Sequence, residues 1–337
     1  MVMASDAAAR PAPAPTALGV AMVFAGQGAQ HPRMAAGLYG YDAVFTAAMD
    51  EAFELLGPGV AVREQWLAPD PGPLFHDVTV AQPLLYAVNH ALGRMVLSWG
   101  VQPVALIGHS VGEMVAATLA GVLDFPDGIR LMRDRVHHFA RTPLGGMLAV
   151  AASVRDVEPV LGGDVYVAAV NAPRQLLLAG RAAPLTRVAA ALQERGFVCR
   201  QAAARQAFHS PVVADAVERS VPDWRATVLR PPRRRLYSAY TEGVLDAAHA
   251  CDPVFWARQP GETVMFSSTL DQLFADERCL LLESGPGQSL TMLARRHPAV
   301  TRGGSRALAL LPEKLLGDAA DRASVERARA VVTGVRS

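Results

Sequence analysis

The run Gly108-His109-Ser110-Val111-Gly112 sets a serine between glycines, a spacing that lets a chain turn sharply and leaves a hydroxyl exposed at the corner. Such a serine can carry an acyl group as an ester. With a helix starting at Val111, the Val111 amide faces any oxyanion formed on that ester. An ordinary loop with glycine for turning and serine for capping uses the same five residues. The flanks separate the two readings: apolar Val104–Ile107 predicts a buried strand before the serine, and Val111–Ala120 predicts a helix after it.

A serine hydroxyl becomes a competent nucleophile only when a base removes its proton. Of nine histidines, His109 adjoins the serine, but neighbouring side chains diverge across such a turn, so His109 is expected to line the pocket. His209, in Gln206-Ala207-Phe208-His209-Ser210, lies on a loop between apolar segments and is the candidate base; without Ser110 it would read as a plain surface histidine. The glycine loop Phe24-Ala25-Gly26-Gln27-Gly28-Ala29-Gln30 follows another predicted strand, Val20–Phe24. It lacks the third glycine of a dinucleotide fingerprint and the lysine of a P-loop. It is either a plain tight turn or a close backbone approach that makes the Gln27 amide a second oxyanion donor.

Positioning these residues calls for buried parallel strands joined through helices. Helical spacing runs from Gln30 to Leu67 with a break at Gly57–Gly59, and Ala81–Gly100 reads as one buried helix. Asp124 and Pro126 suit the start of another. From Gly146 the texture changes to short strands, Gly146–Ser153, Val165–Pro173 and Gln175–Arg181, separated by predicted helices. This β-α-β-β-α-β order, ending near Gln206, is the ferredoxin-like arrangement. The main α/β pattern then resumes.

The 337 residues, 51% of them hydrophobic, suffice for one large core plus a smaller domain. With 32 basic against 31 acidic residues, nothing draws the whole chain to nucleic acid or a membrane. Cys199, Cys251 and Cys279 lie too far apart for a disulfide framework or a zinc site, so a cytoplasmic protein is expected. Residues 1–17, rich in alanine and proline, read as a disordered leader, not a signal peptide, and no apolar run is long enough to span a bilayer. The arginines of Leu229–Tyr237 (Arg230, Arg233, Arg234, Arg235), together with Arg195, Arg200 and Arg205, read as solvated faces, with steering of an acidic partner as the functional alternative.

Taken in order, Phe24–Gln30, Gln82-Pro83, Gly108–Glu113, Arg135, Asn171-Ala172-Pro173, Ala207–Ser210, Gln259 and Gly285-Pro286-Gly287 resemble the malonyl-CoA:acyl carrier protein transacylases and the acyltransferase domains of polyketide synthases. The likeness runs from about Val20 to Leu311. It implies an α/β-hydrolase-like core with a central, mainly parallel sheet, over residues 18–143 and 208–315, and an inserted ferredoxin-like subdomain over 144–207. Residues 316–337 would form a C-terminal tail, as a loosely packed helix or disorder. By the same resemblance Ser110 carries the acyl group, His209 is general base and then acid, and the amides of Gln27 and Val111 form the oxyanion hole. The backbone carbonyl of Gln259 would orient the histidine. Arg135, 135 − 110 = 25 residues beyond the serine, would clamp the free carboxylate of a malonyl-type group, with His109, Phe208 and Gln82 also lining the substrate site.

The chain departs from the family pattern at Arg135-Val136-His137-His138-Phe139, where glycine usually follows the arginine, and at Ala25, where proline is common. Gln206-Ala207-Phe208-His209 is close to the form associated with malonyl and unlike the one associated with methylmalonyl. The expectation is a discrete, monomeric ping-pong acyltransferase of polyketide biosynthesis. It would move a malonyl group from an acyl-CoA or phosphopantetheinyl thioester to an acyl carrier protein, with no bound cofactor and no metal. Carrier-to-carrier transfer of an aminoacyl unit, hydrolysis of stalled acyl carriers, and carrier docking without chemistry are the competing readings.

Overall fold

Alternation along Gly19–Phe24 explains why this segment lies at the centre of the molecule: Val20, Met22 and Phe24 face one hydrophobic cluster, while Ala21 and Val23 face another. The protein is described by a computed structural model covering residues 18–57 and 61–334; the expected leader, and Pro58 and Gly59 of the expected break, lie outside these residues. In chain order the elements are β1 Gly19–Phe24, α1 Ala43–Leu56, α2 Val62–Leu67, α3 Val78–Ser98, β2 Ala105–Gly108, α4 Val111–Ala120 and α5 Phe125–Phe139. Then come β3 Gly145–Val150, α6 Val154–Val157, β4 Val165–Ala172, β5 Gln175–Arg181, α7 Ala182–Glu194, β6 Cys199–Gln201 and α8 Ala214–Arg225. The chain finishes with β7 Leu236–Ser238, β8 Gly243–Val244, α9 Ala247–Ala250, α10 Pro253–Arg258, α11 Phe266–Asp276, β9 Cys279–Glu283, α12 Ser289–Arg296, α13 Pro298–Thr301, β10 Arg306–Ala309 and α14 Asp318–Gly334.

Two sheets result. The large one has the order β10-β9-β1-β2-β7-β8, parallel except for the β8 edge. Its register sets Phe24 beside Gly108, so the loop after β1 and the corner after β2 emerge together at the carboxyl ends of neighbouring strands. That end of an open parallel sheet is where ligands bind, because the diverging loops leave a crevice there. The small sheet is antiparallel, in the order β4-β5-β3-β6, which is the ferredoxin-like topology. Helix α7 covers one face of it with Leu185, Val188 and Leu192. The opposite face, through Met147, Ala168 and Ala179, packs against Phe139 and Phe208 of the large subdomain. Two further bonds tie the parts together: Val170 N–H donates to the Val264 carbonyl at 2.9 Å, and Val264 N–H to that of Ala168 at 2.9 Å.

At the C-terminus the structure differs from the expected loose tail. Helix α14 buries Val325, Ala328 and Val332 in the main core. Arg33 pairs with Asp318 at 2.9 Å, and the Arg322 side chain donates to the Gly37 carbonyl at 2.7 Å. Alanine and valine supply most of the buried face, so the sequence shows little apolar contrast, and the anchors lie nearly the whole chain away.

Glycine is required where α4 meets the sheet. A Cβ on Gly112 would stand 2.1 Å from the Phe24 carbonyl oxygen, which belongs to a strand that cannot yield. Gly112→Ala is therefore expected to destabilise the fold by about 3 kcal/mol or more. A denaturant midpoint equal to the wild type would contradict this.

Candidate active site

Ser110 is held at φ 54°, ψ −120°, a region that L-residues occupy only when the surroundings impose it. The surroundings are the two glycines of its motif. A Cβ on Gly108 would lie 2.1 Å from the Glu113 nitrogen, so only glycine lets β2 turn this tightly into α4. Gly26 does the same for the facing loop, where a Cβ would sit 2.6 Å from the His109 carbonyl oxygen. The two loops therefore touch backbone to backbone.

Helix α8 begins soon after His209, which also has positive φ (60°) and is 4% exposed. Its Nε2 lies 2.7 Å from Ser110 Oγ, across 99 residues of sequence. On the other side of the ring, Nδ1 lies 3.1 Å from the Gln259 carbonyl oxygen and 3.0 Å from that of Glu262. A nitrogen facing two carbonyls must carry the proton. Nδ1–H therefore donates to them and Nε2 is left to accept from the serine hydroxyl. Burial lowers the pKa of His209 to about 3, and nearby His109 and Arg135 push in the same direction.

The oxygen of the Gln27 side chain accepts from Gln82 Nε2 at 2.8 Å, and Asn89 donates to the Ala25 carbonyl at 2.8 Å, so α3 holds the loop after β1 from beneath. The main-chain N–H groups of Gln27 and Val111 have no hydrogen-bond partner among the described residues. His109 does not bond Ser110. Its Nε2 meets Asn171 Oδ1 at 2.8 Å, its ring lies against Phe266, and the contact links the Ser110 corner to β4 of the small sheet.

Arg135 on α5 is half-buried, with its Nε wholly shielded from solvent, and it has no hydrogen bond or ion pair among the described residues. The guanidinium lies 5.4 Å from the Phe139 ring and 5.9 Å from that of Phe208, with the two rings 5.1 Å apart. Burial lowers its pKa to about 10, which leaves it charged at neutral pH. Of the altered segment after Arg135, only Phe139 joins this contact: Val136 enters the core, His137 is exposed, and His138 meets Asp223 on α8 at 2.7 Å. Bulk at the pocket thus comes from one residue.

Sequence reasoning singled out no role for Glu113. It is fully buried, and three donors converge on its carboxylate: Ser238 Oγ at 2.6 Å, Ala239 N at 2.9 Å and Gln259 Nε2 at 3.0 Å. Burial pushes its pKa up to about 8 against the pull of those donors. The one visible signal is an acid inside the otherwise apolar helix Val111–Ala120. Glu283 is comparable, since its buried carboxylate accepts from Leu290 N and Thr291 N and so caps α12.

The arginine run before β7 is far from this site, at the opposite end of the parallel sheet. Arg230 pairs with Asp124, Arg235 with Glu277, and Arg234 donates to the Leu119 carbonyl at the end of α4. Arg233 and Arg234 line a cavity of about 270 Å³ with His90 and Phe125, remote from Ser110. These arginines are mostly engaged internally.

The family described as "Acyl transferase domain" matches residues 21–336. The chain is 34% identical over 292 residues to a phenolphthiocerol/phthiocerol polyketide synthase protein of Mycobacterium tuberculosis, covering 85% of this chain and 19% of that protein. It is 32% identical over 316 residues to the spectinabilin polyketide synthase system protein NorB of Streptomyces orinoci, covering 88% of this chain and 14% of that one. The chain thus spans about a fifth or less of these relatives' length. Among solved structures, the acyltransferase domain of SpnD, in complex with 2-(pent-4-yn-1-yl)malonyl, superposes with a TM-score of 0.88 at 31% identity, over 97% of this chain and 79% of that one. A loading acyltransferase from the avermectin polyketide synthase gives 0.81 at 28%, over 92% and 100%. FabD from Acinetobacter baumannii, at 24% identity and 0.81 over 94% and 99%, shares the fold. With the family matched across nearly all its length, the chain belongs to the acyl transferase domain family and is an acyltransferase.

Proposed function

We propose that the chain transfers a malonyl group from a CoA or carrier thioester to the phosphopantetheine of an acyl carrier protein, through an ester on Ser110. The observation that supports the acyl group is Arg135, half-buried with its Nε shielded and no carboxylate partner among the described residues, set against Phe139 and Phe208 and felt electrostatically by His209. An unpaired, partly buried cation is costly, and a planar carboxylate held by the guanidinium fork offsets that cost. Phe208 beside it narrows the space available to a substituent on the acyl α-carbon.

As Ser110 Oγ attacks the thioester carbonyl, His209 Nε2 takes its proton. The C–S bond then breaks, the imidazolium returns the proton to the departing thiolate, and the acyl group remains on serine. A carrier thiol reverses the sequence. The carbonyls of Gln259 and Glu262 favour the imidazolium by accepting from Nδ1–H, in place of a carboxylate. The free amides of Gln27 and Val111 would hold the developing oxyanion. Every proton and bond is accounted for by serine, histidine and the two thiols, so the scheme calls for no metal or redox cofactor.

Malonyl-, methylmalonyl-, acetyl- and aminoacyl thioesters offered in turn and followed by intact mass test the reading. Malonyl should label the enzyme fastest and move to added carrier protein. Preferential labelling by an aminoacyl donor, or release of free acid without transfer, would replace it with one of the competing activities.

The lowered pKa of His209 carries its own expectation. A base whose pKa falls from 6.5 to about 3 stays unprotonated as pH drops, so acylation should lack the usual loss near pH 6.5. Single-turnover labelling at pH 5.5 and 7.5 should agree within about threefold. A decline of tenfold between them would show that the imidazole titrates normally.

A further inference from the structure

The base that faces Ser110 is oriented by carbonyls, and those carbonyls must themselves be held in place. Gln259 opens a short turn, Gln259–Gly261, directly after α10. Its carbonyl accepts from His209 Nδ1–H, while its side chain reaches Glu113, 146 residues away in sequence. Glu113 itself lies three residues beyond Ser110 and donates its own N–H to the Ser110 carbonyl at 2.9 Å. Its carboxylate also takes Ser238 Oγ and Ala239 N, at the end of β7. One carboxylate therefore joins the nucleophile's helix, the base's supporting turn and the neighbouring strand of the sheet. Tyr240, Arg135 and Glu262 are the other ionisable groups in this electrostatic neighbourhood.

We infer that Glu113 is a positioning residue for catalysis: by gripping the Gln259 side chain it fixes one of the two carbonyls that set the tautomer and reach of His209. This rests on the proposed Ser110–His209 chemistry, though not on which acyl group is carried. The bond pattern makes the inference specific. Oε2 of Glu113 faces the Ala239 N–H, and Oε1 faces both Ser238 and Gln259. In Glu113→Gln, the amide oxygen must stay with Ala239, so the amide NH2 is turned toward the NH2 of Gln259. The Ser238 hydroxyl can rotate to accept; Gln259 can accept only by turning its amide over, which gives up the Nε2 bond. Side-chain size is kept, and the bond that Gln259 Nε2 donates is lost.

The test uses the full chain and two readouts, malonyl transfer and the rate at which a neutral fluorophosphonate labels Ser110. Glu113→Gln and Gln259→Ala should each lower kcat, and the limiting rate of phosphonate labelling, by about tenfold, with KM for the donor unchanged. The double variant should be no slower than the slower single one, since both cut the same link. Multiplying effects, or a rise in KM with kcat intact, would overturn the inference. Should Glu113→Gln fail to fold, Gln259→Ala alone decides, because it leaves the carbonyl in place and yet must lose rate. Phosphonate labelling without malonyl transfer in the wild type would remove the malonyl reading and leave this inference testable; absence of both would remove the two together.

Discussion

Ser110→Ala is expected to abolish the acyl-enzyme and to reduce carrier acylation by at least about a thousandfold, because the chemistry passes through one oxygen. Alanine should not unfold the corner. Serine already carries a Cβ at φ 54°, so the substitution adds no backbone strain, and the Ser110 side chain caps nothing in α4. A folded, inert protein is the expected product, with normal circular dichroism and no mass adduct after incubation with malonyl-CoA. His209→Ala should differ in kind, since its serine remains but is poorly activated, and slow labelling should recover at high pH. An adduct of unchanged stoichiometry on Ser110→Ala would remove the proposed mechanism entirely.

Arg135→Ala should separate donors that the wild type discriminates by charge. For malonyl-CoA, loss of a shielded, forked contact to the carboxylate is expected to lower kcat/KM by roughly a hundred- to thousandfold, about 3–4 kcal/mol. For acetyl-CoA the change should stay within a few-fold, since an uncharged acyl group makes no use of the guanidinium and is spared burial beside an unpaired cation. Arg135→Lys keeps the charge without the fork, and should recover only part of malonyl transfer. The same variant bears on pH. Arg135 helps hold the His209 pKa down, so its removal should raise that pKa and shift the acid limb of the acylation profile upward. Equal losses for the two donors would mean that Arg135 acts by holding Phe139 and Phe208 in place.

How much of this was readable beforehand depends on how local each feature is. The corner at Ser110 was legible because strand, glycines and helix are contiguous, and the insert because its strands and helices alternate within about sixty residues. His209 could be picked out only through its pairing with Ser110 and the resemblance, since a loop histidine alone signals nothing. The grip of Glu113 on Gln259 spans 146 residues, and one acid in a helix does not say what it will meet. The packing of helix α14 into the core was missed for a related reason: its buried residues are small, and its anchor, Arg33 to Asp318, spans 285 residues. Nor could the sequence separate Phe139, which borders Arg135, from His138, which turns away to Asp223.

The backbone at Ser110 also limits which amino acids evolution or an engineer could install there. At φ 54°, ψ −120°, a β-branched residue is strained, so threonine is disfavoured although it offers the same hydroxyl. Cysteine, unbranched, is admitted. Swaps that substitution tables score as mild therefore divide at this corner, which is open to a thiol in place of the hydroxyl and far less so to threonine.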